Sequence, residues 1–203
     1  MPRAGLSPDA VVGLALQIVD DDGPGSLTLA KVAGRAGVAT PSLYKHVGSL
    51  AALRRAVATV AVRELTAAAS AATVGRSGPD AVRALGRAWR DYALAHPGRY
   101  AATQIGPDPD DPADAERREA AAESVAVAAA ALRAFGLPDD GLVDAVRAAR
   151  SAIHGFVTLE LGGGFRMPQD VDRSFETLLD MVTAGIASLG DAAGPHPHPK
   201  EKA

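Results

Sequence analysis

The segment from Thr28 to Val47, TLAKVAGRAGVATPSLYKHV, most constrains what this chain can fold into, because it has room for only two short helices and a tight turn. Leu29, Val32, Ala33 and Ala36 recur at helical intervals and give the first helix one apolar face. Thr28 stands where a hydroxyl accepts an otherwise orphan backbone N–H at the helix start. Gly37 follows the last periodic residue, where glycine ends a helix in the left-handed conformation without a Cβ clash. Val38 is apolar within the turn and is expected to plug the gap between the helices. Thr40 and Pro41 restart the chain, Thr40 as an N-cap and Pro41 in a first turn where its missing N–H costs nothing. Leu43 and Val47 then point inward at four-residue spacing, which leaves Pro41, Ser42, Tyr44, Lys45 and His46 outside. Small residues at Ala39, Thr40 and Ser42 let this end of the helix enter a DNA major groove, while Tyr44, Lys45 and His46 carry groups that reach phosphates or base edges.

Charge supports that reading locally and opposes it globally. The chain is net −3 with an isoelectric point near 5.9, which argues against a general nucleic-acid binder. Yet from Gly23 to Arg63 every charged residue is basic: Lys31, Arg35, Lys45, Arg54, Arg55 and Arg63. A local basic face on an acidic molecule suits a sequence-specific binder that must not stick everywhere, and it adds Lys31 to the candidate DNA contacts.

Over Leu27 to Val57, LTLAKVAGRAGVATPSLYKHVGSLAALRRAV resembles the DNA-binding pattern of the TetR family of bacterial transcription regulators nearly throughout. The resemblance implies that Thr28 contacts a phosphate and that Ala39, Thr40, Pro41, Ser42, Tyr44, Lys45 and His46 cover the recognition helix and its flanks. One position departs. Many members place a lysine after the Ser that opens the next helix, and here Ser49 is followed by Leu50, so Arg54 or Arg55 is the expected source of charge.

The remainder reads as helices punctuated by Gly and Pro, with no sustained period-two alternation, and the fold class is all-α. Ser7-Pro8 opens a first helix that DDDGPG stops, and Ser49 begins a longer one leading out of the DNA-binding head. Further helices are expected over about 80–96, 99–105, 113–135, 139–161 and 171–189. The expected organisation is a three-helix head with its connecting helix over 1–66, a helical-bundle regulatory and dimerisation domain over 67–190, and a disordered tail over 191–203.

The last two helices carry broad apolar faces, Ile153, Phe156, Val157 and Leu161 on one and Phe175, Leu178, Leu179, Val182 and Ile186 on the other. The resemblance implies that they pair with the same helices of a second subunit in a four-helix interface, and a homodimer lets two short recognition helices read a palindromic operator. The alternative is that these faces complete the subunit's own core. The stretch AIHGFVTLELGGGFRMPQDVDRSF also resembles a C-terminal regulatory subtype marked by the pair His154-Gly155, although Ile153 replaces a Trp often found there. A small-molecule effector is implied. Trp89, Tyr92 and His96 share a helix face, Tyr100 and Gln104 follow, and Arg147, Arg150 and His154 form a second stripe, so these residues are candidates to line an amphipathic pocket. For Trp89 and Tyr92, ordinary core packing is an equal alternative.

Other function classes find little support. There is no His-Glu-x-x-His, no Gly-x-Ser-x-Gly and no cysteine, so an all-helical enzyme is the weak rival, alongside a helical adaptor that does not bind DNA. No cofactor or metal is expected, and loose metal binding by tail residues His196 and His198 would be incidental. No apolar run reaches the roughly 18 residues a bilayer span needs, and the N-terminus lacks a signal-peptide layout, so the expected location is cytoplasmic. The reading as a whole is a ligand-responsive, operator-binding regulator, most simply a repressor.

Overall fold

The computed structural model describes residues 6–193, and these are helical with no strand among them. In chain order the α-helices are α1 (Pro8–Asp22), α2 (Leu29–Ala36), α3 (Thr40–Val47), α4 (Leu50–Thr73), α5 (Gly78–Ala95), α6 (Pro97–Ala102), α7 (Ala115–Leu132), α8 (Asp139–Leu161) and α9 (Val171–Ala193). The chain divides into two compact units. Of the described residues, one comprises 6–68 and 91–124, the other 69–90 and 125–193.

In the first unit, α1, α2 and α3 pack on one another, and α6 packs on α1. Val11, Ala15, Ile18 and Val19 of α1 meet Leu29 and Val32 of α2, Leu43 of α3, Leu53 and Val57 of α4, and Ala102 of α6 in one apolar core. Local chemistry sets the helix ends. Ser7 caps α1 by accepting the Ala10 N–H at 3.1 Å, and Ser49 caps α4 by accepting the Ala52 N–H at 3.0 Å. The α1–α6 approach demands Gly98, because a Cβ there would run into the Val19 carbonyl.

In the second unit, the beginning of α5 together with α8 and α9 buries Val82, Leu85 and Trp89 of α5, Ile153 and Val157 of α8, and Phe175, Leu179 and Ile186 of α9. This corrects the expected dimer face. Ile153, Val157, Phe175, Leu179 and Ile186 are already covered within the subunit and have no surface to offer a partner. Phe156, Leu178 and Val182 remain half-buried and Leu161 remains exposed. The Phe156 ring packs on Phe165 and Phe175 at centroid distances of 4.6 and 5.1 Å.

Helix α9 runs through Gly190 to Ala193, beyond the stop expected at Leu189, and residues 194–203, with His196 and His198, lie outside the described residues. Among the described residues no single helix is long and apolar enough to cross a membrane, and no cluster of three His, Cys, Asp or Glu side chains is placed to hold a metal.

Candidate nucleic-acid interface and effector segment

The helix pair between Thr28 and Val47 forms as its residues dictate. Thr28 accepts the Lys31 N–H at 3.2 Å, and Gly37 takes the left-handed conformation at φ 67° that ends α2. Val38 packs, partly buried, against the core. One detail differs at the second helix. Ala39 is its N-cap, without a side-chain bond, while Thr40 and Pro41 occupy the first two helical positions. Proline in the first turn already fixes the backbone there, so the helix starts one residue earlier than a Thr40 cap requires.

Leu43 is fully buried, whereas Pro41, Ser42, Tyr44 and Lys45 are exposed and His46 and Val47 half-buried. A recognition helix needs this arrangement, an apolar anchor on one side and reaching polar groups on the other.

The basic run is less free than its sequence implies. Acidic residues from flanking segments fold back onto it: Lys31 pairs with Asp22 at 3.1 Å, Arg35 with Asp21 at 2.6 Å and Arg63 with Glu116 at 2.7 Å. Arg55 lies 3.9 Å from both Asp111 and Asp114. Lys45 has no carboxylate partner among the described residues, and Arg54 reaches only the Leu27 carbonyl, at 3.4 Å. The positive potential of this face is therefore concentrated on α3 and the first turns of α4. The exposed partial pairs can exchange their carboxylates for phosphates at modest cost.

The proposed effector residues are distributed over both units. Trp89 is buried within the second unit, where Arg150 is exposed and half-buried His154 lies 3.5 Å from the Thr158 hydroxyl. Tyr92, His96, Tyr100 and Gln104 belong to the first unit. There Tyr92 places its hydroxyl 3.0 Å from Glu64 Oε2 and 3.2 Å from the Ala61 carbonyl, and its ring lies 5.2 Å from that of His96. Burial, reinforced by Glu64, holds the Tyr92 phenol well above its ordinary range, so it stays protonated. Arg99 donates to Glu64 through Nη1 at 3.1 and 3.2 Å and through its backbone N–H to Asp20 at 3.0 Å, and His96 Nδ1 lies 3.4 Å from Asp20. Tyr100 is buried, and the Gln104 amide donates to the Tyr100 carbonyl at 3.3 Å and the Thr103 hydroxyl at 2.6 Å. These polar groups clamp the end of α5 and the start of α6 onto α1 and α4.

Asp20, Glu64 and Arg99 of this clamp escaped the sequence reading, since nothing local marks a partner 79 residues away. A second network also escaped it. Arg83, Arg87 and Arg90 of α5 face Asp172, Glu176 and Asp180 of α9: Arg83 donates to Asp180 at 2.9 Å, Arg87 grips Glu176 with two bonds of 2.6 and 2.7 Å, and Arg90 bonds Asp172 at 2.6 Å. Arg90 also holds Glu160 with two bonds of 2.6 and 2.8 Å and lies 4.9 Å over the Phe175 ring. The opposite charge stripes at helical spacing on the two helices were the available signal.

A helix-turn-helix head with an exposed recognition helix, joined by one long helix to a helical unit, defines a one-component DNA-binding regulator. The comparisons specify which kind. The family described as Tetracyclin repressor-like, C-terminal domain, matches residues 82–182. The chain is 38% identical to the HTH-type transcriptional regulator Rv0681 of Mycobacterium tuberculosis over 185 residues, 90% of this chain and 83% of that protein. The structure of a protein with unknown function from Rhodococcus sp. RHA1 superposes with a TM-score of 0.76 at 26% identity, covering 92% of this chain and 99% of that one. A TetR variant from Acinetobacter baumannii AYE in complex with minocycline shares the fold, with a TM-score of 0.68 at 24% identity and coverage of 92% and 99%. The chain belongs to the TetR family of bacterial transcription regulators. It is a helix-turn-helix transcriptional regulator and not an enzyme.

Proposed function

We propose that the protein is a homodimeric repressor that releases a palindromic operator when a small organic effector binds. The observation that carries the DNA-reading part is α3 itself, with Leu43 fully buried beneath exposed Ser42, Tyr44 and Lys45. Thr28, Lys31, Ala39, Thr40, Pro41, Ser42, Tyr44, Lys45 and His46 form the operator contact, working in the cytoplasm. Each subunit presents the same helix to one face of the duplex, so half-sites lie about one helical turn apart or a multiple of it.

The subunits pair through the strip of α8 and α9 that their own core leaves uncovered. Leu159, Leu161, Met181 and Leu189 are exposed there, and Leu178 and Val182 are half-buried. The effector acts on Tyr92, His96, Tyr100 and Gln104 of the first unit, where the clamp of Tyr92, His96 and Arg99 on α1 and α4 passes the change to the helix-turn-helix. The minocycline complex of the A. baumannii protein supports a small-molecule role for this fold. The head belongs to residues 1–66 and the regulatory region to 67–190, while compactness groups 91–124 with the head, as a segment that relays effector state would be.

The test is fluorescence anisotropy of the full chain on its own upstream intergenic DNA against a scrambled duplex at near-physiological salt. A preference of at least about a thousandfold is expected. Equal affinity for both duplexes, followed by failure of a genome-wide selection to enrich any sequence, would overturn the reading.

A further inference from the structure

A half-open cavity of about 730 Å³ lies at the surface of the first unit, by the N-terminal turns of α4 and the end of α6, and none of the effector residues named above lines it. We propose that this cavity binds an amphipathic anion, a carboxylate on a medium-length apolar tail, with Arg54 meeting the carboxylate and Leu27, Val57, Ala58 and Ile105 enclosing the tail.

Its size is that of a small-molecule site, mostly apolar with a few polar groups to fix orientation. Three guanidinium groups line it, of Arg54, Arg55 and Arg117, against the single carboxylate of Asp114. Arg117 is committed, since it bonds Asp114 at 2.9 and 3.1 Å and the Ile105 carbonyl at 2.6 Å. Asp114 is committed as well: it accepts the Asp108 N–H at 2.7 Å, and that bond and Arg117 hold its carboxyl below the ordinary range. What remains is an excess of positive charge. Arg55 lies 3.9 Å from both Asp111 and Asp114, beyond hydrogen-bond distance, and Arg54 has a single long bond to a backbone carbonyl. A guanidinium in that condition offers two parallel N–H groups to a carboxylate.

The apolar part of the ligand follows from the walls. Leu27, Val57 and Ala58 are core residues, and Ile105, at the end of the segment after α6, is 69% exposed although it borders the cavity. An apolar tail would cover Ile105 and recover the burial it lacks. A DNA phosphate could satisfy Arg54 but would leave these walls uncovered. Leu50 and Ala51 also line the cavity and follow directly on Ser49 and the recognition helix, so an occupant would press on the support of α3. The binding claim stands apart from the repressor reading, and only its consequence for operator affinity rests on that reading.

The test is isothermal titration of the full chain with sodium octanoate, octylammonium chloride and inorganic phosphate in the absence of DNA. It compares the natural protein with Arg54→Gln, Arg54→Lys and Ala51→Trp. Arg54 and Ala51 are both exposed, so these variants keep the core intact, which their melting temperatures will verify. Saturable octanoate binding is expected, weakened at least about tenfold in Arg54→Gln and Ala51→Trp and less in Arg54→Lys, with no saturable heat from octylammonium or phosphate. Absence of octanoate binding, unchanged affinity in Arg54→Gln and Ala51→Trp, or equal binding of octylammonium or phosphate would overturn the proposal. None of these outcomes bears on the operator experiment, and failure of that experiment leaves octanoate binding untouched.

Discussion

The helix-turn-helix of the first unit and the α5–α9 pair of the second are held by different physics. In the first, α1, α2 and α3 close on wholly buried aliphatic side chains, and most charged groups of the helix-turn-helix lie at its surface. In the second, an apolar core is flanked by a ladder of arginines on α5 and carboxylates on α9, joined at Arg90 by Glu160 of α8. Aliphatic packing is short-ranged and carries no charge for salt to screen, which suits a head whose surface charge must be free to exchange carboxylates for phosphates. A charge ladder instead adds a preference for one register along two helices, because one helical turn of slip would leave an arginine and a carboxylate of the ladder unpaired and draw Arg90 away from Glu160.

The sharpest way to break this contrast is at Gly98. Replacing it with Ala drives a Cβ into the Val19 backbone, which cannot move aside as a side-chain tip can. A loss of at least about 3 kcal/mol in urea unfolding is expected. A loss below about 1 kcal/mol would show that α6 rides loosely on α1.

Arg90→Met comes next. Arg90 and Glu160 are 12% and 17% exposed, so deleting the cation strands a poorly hydrated carboxylate. About 2 kcal/mol is the expected cost, and Arg90→Met combined with Glu160→Gln should recover part of it. If the double variant is no better than the single one, Arg90 contributes through its stacking on Phe175 and not through charge.

Lys45→Ala and Tyr44→Ala probe the other side of the comparison. Both side chains are exposed, so stability should change by less than about 0.5 kcal/mol while operator affinity falls at least about tenfold. Unchanged affinity in both variants would show that α3 does not read DNA.

The contrast between the units also explains what could be read from sequence. Cap, apolar spacing and turn glycine act within eight residues, so Thr28, Gly37, Leu43 and the course of α2 and α3 were legible. Partnerships across 70 to 97 residues were not. The faces of α8 and α9 were correctly read as apolar, but spacing cannot tell a side chain buried by its own subunit from one awaiting a second, and Ile153, Val157, Phe175, Leu179 and Ile186 proved to be the former. The same limit applied to charge: a run without carboxylates looked freely basic, yet Asp21, Asp22 and Glu116 return to it in the fold.

The smallest effect belongs to the middle rung of the ladder, Arg87 with Glu176. Its two-bond geometry is good, but both side chains keep more than two-fifths of their surface in water, so Arg87→Met should cost only about 0.5 kcal/mol at neutral pH. The bonds from Arg87 hold the Glu176 carboxyl below its ordinary range. A carboxylate whose pKa is lowered by folding contributes stability above its unfolded pKa, and that contribution vanishes as pH falls through the folded value. The stability difference between the natural protein and Arg87→Met should therefore be constant at neutral pH and shrink toward zero as the pH drops below about 4. Urea unfolding across that range measures it, and added salt at neutral pH should shrink the difference in the same way. A difference that survives both acid and salt would mean that the arginine stem packs against α9, and this rung would then join the helix-turn-helix in being held by apolar contact.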